Sequence, residues 1–196
     1  LKLKTGPTIE PVTVEDVQLY SRVTVTAETP LLERLIKTAR RQVENDSSVL
    51  LCTQTWLMYL DCFPDYYNAG QLKTTIEIPL RPVQSVSSIK YYDEAGSLQT
   101  FNASKYQVDI ASFIARIKPA PGESWPSTES ERINAVEIEF VGGFGNAAAV
   151  PEPMKQAVSL LVGHYYEHRE AAEMMSLNIP PMGYRDLIAT EKVFRV

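Results

Sequence analysis

The spacing of apolar residues changes twice along this chain, and those two changes constrain the fold more than any single residue. From about Leu50 to Val141 the chain is β-rich, with short runs in which apolar side chains recur at every second position, whereas the flanking stretches repeat at the three-to-four spacing of a helix. In the middle regime Trp56, Met58, Leu60 and Cys62 alternate with Thr55, Tyr59 and Asp61. Val136, Ile138 and Phe140 alternate with Glu137 and Glu139, as in a strand with one dry face and one wet one. Thr75 to Pro79, Tyr106 to Ile110 and Phe113 to Lys118 read as further short strands. Val86 to Tyr92 and Ser97 to Phe101 flank Asp93-Glu94-Ala95-Gly96, a hairpin signal with glycine where positive φ is needed. Tyr91, Tyr92, Phe101, Tyr106 and Phe113 carry strand spacing and are assigned to sheet packing.

The flanks are helical. Thr13 with Asp16 predicts a capped start to a short helix over Val14 to Ser21. Thr29 and Pro30 open a second helix, with Leu31, Leu32, Leu35, Ile36, Ala39 and Val43 at helical spacing and an end near Asn45 to Ser48. Beyond Gly142-Gly143-Phe144-Gly145, Pro151 and Pro153 open a long helix expected to reach about Glu173, with Met154, Ala157, Val158, Leu161 and Tyr165 on one face. The last residues read as an extended tail with a helical turn over Tyr184 to Ala189. The prediction is an α+β fold: an N-terminal helical part over 1–49, an inserted antiparallel β module over 50–145, and a C-terminal helix with an extended tail over 146–196.

Composition removes several function classes. No run approaches the 18 apolar residues of a transmembrane helix, so no membrane partner is expected. Leu1 to Pro7 lacks the apolar core of a signal peptide, so secretion is not expected. Cys52 and Cys62 stand in one extended run; as a single strand it would hold the sulfurs roughly 30 Å apart, whereas a disulfide needs Cα atoms within about 7 Å. Unbridged thiols in a reducing compartment are expected. Net charge is −5, and residues 61–150 hold most of the excess, with seven basic against eleven acidic side chains. No segment is basic enough for tight, salt-sensitive coating of nucleic acid phosphates.

Few residues carry candidate chemistry. His164-Tyr165-Tyr166-Glu167-His168 fits H-x-x-E-H, the inverted zinc-protease pattern, in which His164 and His168 would hold metal and Glu167 would act as base. Helical geometry argues against it: both histidines fall on or beside the packing stripe, Glu167 faces away, and a third ligand would have to be a carboxylate from the 28 residues downstream, where Glu191 sits in a tail without an obvious scaffold. A packed pair of histidines is the expectation. The Gly142–Gly145 loop lies between strand and helix but lacks the spacing of a phosphate-binding loop, so a turn is expected. Arg34, Lys37 and Arg41 form a basic stripe on the second helix, with Arg40 beside it; Glu28, Glu33 and Glu44 interleave. A solvated face is the first reading, and a DNA-facing one requires a multi-subunit setting in which weak stripes add up. No Ser/His/Asp or Cys/His set can be assembled. No catalytic residue, cofactor or metal is expected, and the residues describe a structural or interaction module.

An ordered series of local strings resembles the head–tail connector (adaptor) proteins of tailed double-stranded-DNA phages, prophages and gene transfer agents. The series begins with Pro11-Val12-Thr13, Ser21-Arg22-Val23 and Leu31-Leu32-Glu33-Arg34-Leu35-Ile36 continuing to Arg40-Arg41-Gln42-Val43-Glu44. It continues with Thr53-Gln54-Thr55-Trp56, Pro82-Val83-Gln84-Ser85-Val86, Tyr91-Tyr92-Asp93 with Gly96, and Pro119-Ala120-Pro121-Gly122-Glu123-Ser124-Trp125-Pro126. It closes with Phe140-Val141-Gly142-Gly143-Phe144-Gly145, Val150-Pro151-Glu152-Pro153-Met154-Lys155-Gln156-Ala157 and His164-Tyr165-Tyr166-Glu167-His168-Arg169-Glu170. Order and spacing hold from about residue 10 to residue 172; residues 1–9 have no clear counterpart and Met174 to Met182 depart from the usual spacing.

The resemblance implies a helical connector core carrying the β module, and a mechanical role in the virion neck after synthesis in the bacterial host cytoplasm. Such connectors form a homo-oligomeric ring of about twelve subunits beneath the portal protein. The ring extends the channel for passing double-stranded DNA, without tight or sequence-specific binding, and presents a surface to the stopper or a tail-side neck protein. It implies a portal-facing tail, here Tyr184, Arg185, Leu187, Ile188, Val193, Phe194, Arg195 and Val196, whose apolar residues have little internal packing. It also leaves Arg34, Lys37 and Arg41 as channel-facing candidates. Two rival readings remain: a metal-dependent hydrolase using His164, Glu167 and His168, and a β-rich host-surface or carbohydrate-binding module near residues 50–141.

Overall fold

The computed structural model describes residues 1–21, 28–68, 71–168 and 183–192 of the chain. It divides into two compact units, one built from Leu1–Gly6 and Thr53–Gly143 and the other from Pro7–Cys52 and Phe144–Val196. Helices and antiparallel sheets are both present, as an α+β fold requires.

The sheet unit is organised around β10 (Val136–Gly142), whose residues alternate between buried and half-buried. Val136, Ile138 and Phe140 are fully buried, while Glu137 and Glu139 face the other side. β10 runs antiparallel between β2 (Gln54–Leu60) and β6 (Val83–Tyr92), with Ile138 opposite Met58 on one side and Ile89 on the other. Ser87 is the extra residue of a bulge in β6, since Glu139 pairs with Ser88 and Phe140 with Val86. The five-stranded sheet has the order β1-β2-β10-β6-β7, closed at its edges by β1 (Lys2–Thr5) and β7 (Leu98–Thr100). The first six residues thus belong to the sheet unit and not to the helical part assigned to them above. Every residue of β1 is exposed, so its place depends on backbone pairing with β2 and on the Lys4–Glu139 ion pair at 2.7 Å.

Two smaller pieces complete this unit: the hairpin of β3 (Tyr66–Asn68) and β4 (Gln71–Lys73), and a sheet in which β9 (Arg116–Pro119) lies between β5 (Ile76–Glu77) and β8 (Tyr106–Asp109). The β6–β7 hairpin turns at Asp93–Gly96, where Gly96 has φ +74° and the Asp93 carboxylate accepts from the amides of Ala95 and Ser97. An aromatic cluster fills the space beside the sheet. Phe63 stacks on Trp125 at 4.7 Å, Tyr91 and Phe101 meet edge-on, and Tyr106 stacks on Phe101. Phe113 departs from its expected strand position: it is 56% exposed beneath the Arg81 guanidinium, because Asp109 captures the amides of Ala111 and Ser112 and turns the chain there.

The helical unit packs α2 (Thr29–Ser47) against α3 (Glu152–Glu167), with α1 (Val14–Ser21) against both and α4 (Tyr184–Ala189) against α3 and α2. α1 starts where the sequence predicts. Thr13 Oγ1 accepts from the Asp16 amide while the Asp16 carboxylate accepts from the Thr13 amide and hydroxyl, and those donors hold the Asp16 carboxyl below its usual range. α2 has Pro30 in its first turn and ends on Ser48 at φ +60°, with Ser47 Oγ donating back to the Val43 carbonyl. Its buried face, Leu32, Ile36, Ala39 and Val43, meets Met154, Ala157, Val158 and Leu161 of α3 in one core. α3 ends at Glu167, with His168 already outside the helix, and the rest of the expected continuation, 169–173, lies outside the described residues.

Candidate functional site

The residues singled out for chemistry fall in both units, and the structure gathers no catalytic constellation from them. On α3, His164 and His168 are half-buried and their rings meet edge-on at 4.7 Å, while Glu167 is exposed. Burial and the neighbouring His168 push the His164 imidazole below its ordinary pKa. Among the described residues no group of three His, Cys, Asp or Glu side chains is placed to hold a metal ion. The glycine loop between β10 and α3 spends its amides on the protein. Gly143 N–H donates to the Pro82 carbonyl at 2.8 Å and Phe144 N–H to the Leu51 carbonyl at 3.1 Å, which leaves neither for a phosphate. Gly143 and Gly145 both have φ above +110°, the reason glycine is needed there.

The basic residues of α2 separate into two kinds. Arg34 and Lys37 are exposed and Arg41 is half-buried. Arg40, one position away, turns inward and is a structural residue that spacing alone does not reveal. Its Nε donates to Glu10 at 2.7 Å and its Nη1 to Glu44 at 2.9 Å. The Glu44 side chain, 2% exposed, also accepts from the Leu51 amide at 3.0 Å, so three segments meet at one buried charge network. Cys52 lies next to it; burial, then the nearby Glu10 carboxylate, push its thiol up to about 11, against the opposing pull of Arg40. Cys52 is buried and Cys62 exposed, and neither forms a disulfide.

The C-terminal residues need a correction. Tyr184 and Ile188 are 1% and 3% exposed and belong to the helical core, so this part of the tail does not lack internal packing. The main cause is apolar packing against α2 and α3, to which Tyr184 Oη adds a bond donated to Asp46 at 2.8 Å; burial, then that carboxylate, raises the phenol well above its usual pKa. Arg185 is exposed and Leu187 half-buried. Val193, Phe194, Arg195 and Val196 lie outside the described residues. Tyr166 of α3 likewise donates to Glu28, just ahead of α2. No described helix is long and apolar enough to cross a membrane.

No protein-family model and no curated protein sequence matches the chain. Solved structures do. A chain in the neck of an empty gene transfer agent (GTA) particle, computed with C6 symmetry, aligns with a TM-score of 0.75 at 23% identity, covering 100% of this chain and 97% of the other. A chain in the virion of a native GTA particle gives 0.74 at 22% identity, covering 99% and 97%. One in the neck of the native particle, computed with C12 symmetry, gives 0.70 at 22% identity, covering 100% and 97%. End to end, this chain has the fold of chains found in the neck and virion of gene transfer agent particles.

Proposed function

We propose that the chain is a structural head–tail adaptor of a phage, prophage or gene transfer agent particle. About twelve copies form a ring beneath the portal protein, extend the DNA channel, and join the packed capsid to the stopper or a tail-side neck protein. The observation that carries this reading is the end-to-end likeness to neck chains, in assemblies computed with six-fold and twelve-fold symmetry. A coincidental likeness of one common subdomain would not cover both units and 97% of the neighbours. The role is mechanical and not enzymatic, and the protein's place is the virion neck, after synthesis in the bacterial cytoplasm.

Charge supports the DNA part. Twelve copies at −5 carry about −60 in all. Arg34 and Lys37, exposed on one helix, offer weak repeated contacts, with Arg41 behind them. Such a wall guides DNA without holding it, as a conduit must. The portal contact falls to Arg185, Leu187 and the segment Val193–Val196, with Tyr184 and Ile188 as the anchors that seat α4.

The test is reconstitution. Purified chain is added to DNA-filled, tail-less capsids that carry their portal, and the portal vertex is imaged by electron microscopy. A ring of new density under the portal is expected; an unchanged vertex at saturating protein overturns the adaptor reading. Deleting Val193–Val196 is expected to abolish that density while leaving the fold intact, and its retention would remove the tail from the portal contact.

A further inference from the structure

The helical unit carries an apolar groove and, on another side of the same helix, an apolar side chain in water. The groove, about 650 Å³, is lined by Ile9, Val12, Val14, Ile36, Ala147 and Ala148, with Glu10, Glu33 and Lys37 at its rim. Leu19, near the end of α1, is 81% exposed, the most exposed large hydrophobic among the described residues, and Tyr20 beside it is 43% exposed. Val17 of the same helix is fully buried and fixes how α1 is rotated. Val14 and Leu19 are five positions apart, which is about 140° around an α-helix and about 7.5 Å along it. While Val17 stays in the core, one copy therefore cannot turn its own Leu19 into its own groove.

One charge pair fits the same pairing, with Glu10 at the rim held by Arg40 and Glu33 the acid that an incoming carboxylate must clear. Glu15 precedes Leu19 by four residues and so shares its face of α1. Glu15 and Lys37 are both exposed, and neither has an ion-pair partner among the described residues. We propose that the groove is filled by a second copy of this chain: Leu19 of one copy seats in the groove of the next, and Glu15 of the first reaches Lys37 of the second, which leaves Arg34 as the exposed cation of the stripe free to face DNA. Knob and groove lie on different faces, so the contact is head-to-tail, and repetition closes it into a ring or extends it into a filament. The inference rests on the adaptor reading and names the surface by which its ring is made.

Disulfide trapping tests it in the full chain carrying Cys62→Ser, with Cys52 buried out of reach. Leu19→Cys protein is mixed with Ala148→Cys protein at up to about 1 mM, the effective concentration of neighbours held in one assembly. A cross-linked dimer is expected in the mixture and not in either protein alone, and the double variant Leu19→Cys/Ala148→Cys should give a ladder of higher oligomers. Glu15→Lys on the first protein should lower the dimer yield about 1.5- to 5-fold, as expected for an exposed ion pair, and Lys37→Glu on the second should restore it. No mixed dimer at any concentration overturns the proposal. Imaging separates the two readings: if wild-type rings still form on the portal, only this contact is wrong, and if none form, the adaptor reading falls as well.

Discussion

Replacing Arg40 by methionine isolates what the buried charge network of the helical unit contributes. Methionine keeps much of the aliphatic stem but removes both donated bonds, to Glu10 at 2.7 Å and to Glu44 at 2.9 Å. Glu10 is 21% exposed and can turn to water, whereas Glu44 at 2% cannot and loses its bonded guanidinium while still accepting from the Leu51 amide. Stranding one partner of a buried pair costs about 3–5 kcal/mol, and the escape open to Glu10 puts this case at the lower end, about 3 kcal/mol. For a unit on the order of 100 residues that lowers the melting temperature by roughly 12–24 °C. The two units can be followed separately. Trp56 and Trp125 both lie in the sheet unit and report it by fluorescence, while circular dichroism at the helical minimum is dominated by α2 and α3. Adding Glu44→Gln to Arg40→Met removes the stranded charge but keeps an acceptor for the Leu51 amide, so at least half the loss should return. A cost below about 1 kcal/mol for Arg40→Met would make the network no better than a surface pair. Simple additivity of the two substitutions would equally mean that Arg40 and Glu44 are not coupled.

Two further outcomes follow from buried groups near α2. Tyr184→Phe should cost about 1 kcal/mol through the lost bond to Asp46. Tyr184→Ala should cost about 3–5 kcal/mol and release α4, read as faster amide hydrogen exchange over residues 184–189. At pH 8 one thiol per folded chain, Cys62, should react with a disulfide reagent, and two after denaturation, because Cys52 is buried and held up to about 11. The folded value lies above the 9.0 of an ordinary thiol, so the stability held by the protonated thiol is present below pH 9 and is lost as pH rises towards 11. Cys52→Ala should remove that alkaline loss in a pH series of urea midpoints.

Local chemistry was legible where its cause is local. Thr13 and Asp16 are three residues apart and cap one another, so α1 begins and ends where the pattern puts it. The alternation in β10 survives because each residue's face is set by period-two geometry in the middle of a sheet. What escaped depends on partners far along the chain. β1 does alternate, as Leu1-Lys2-Leu3-Lys4, but the run is short and both leucines stay exposed, so its ladder with β2 is what places it. Arg40 sits one position from a basic stripe and looks like part of it until Glu10, thirty residues earlier, closes on its guanidinium. Phe113 keeps strand spacing, but the Asp109 carboxylate captures the local amides and bends the chain before the strand begins. Tyr184 reads as tail because its packing partners on α2 and α3 and the Asp46 carboxylate, 138 residues earlier, lie far from it in the chain. For the candidate site, the exposed stripe of Arg34 and Lys37 was visible in the sequence. The groove was not, because its walls come from three separate segments.

The division of the chain between its units also sets an order of events at the ribosome. α1 and α2 are made first, but the α3 residues that cover Leu32, Ile36 and Val43 follow only after the whole sheet segment has been made. At about 5–20 residues per second, roughly a hundred intervening residues hold that apolar face open for on the order of 5–20 s. The sheet, by contrast, has its central strand, β10, outside the ribosome before α3 emerges and can close first. The nascent chain therefore passes through a stage with a finished sheet and an unfinished helix pair, the stage at which holding chaperones have most to grip.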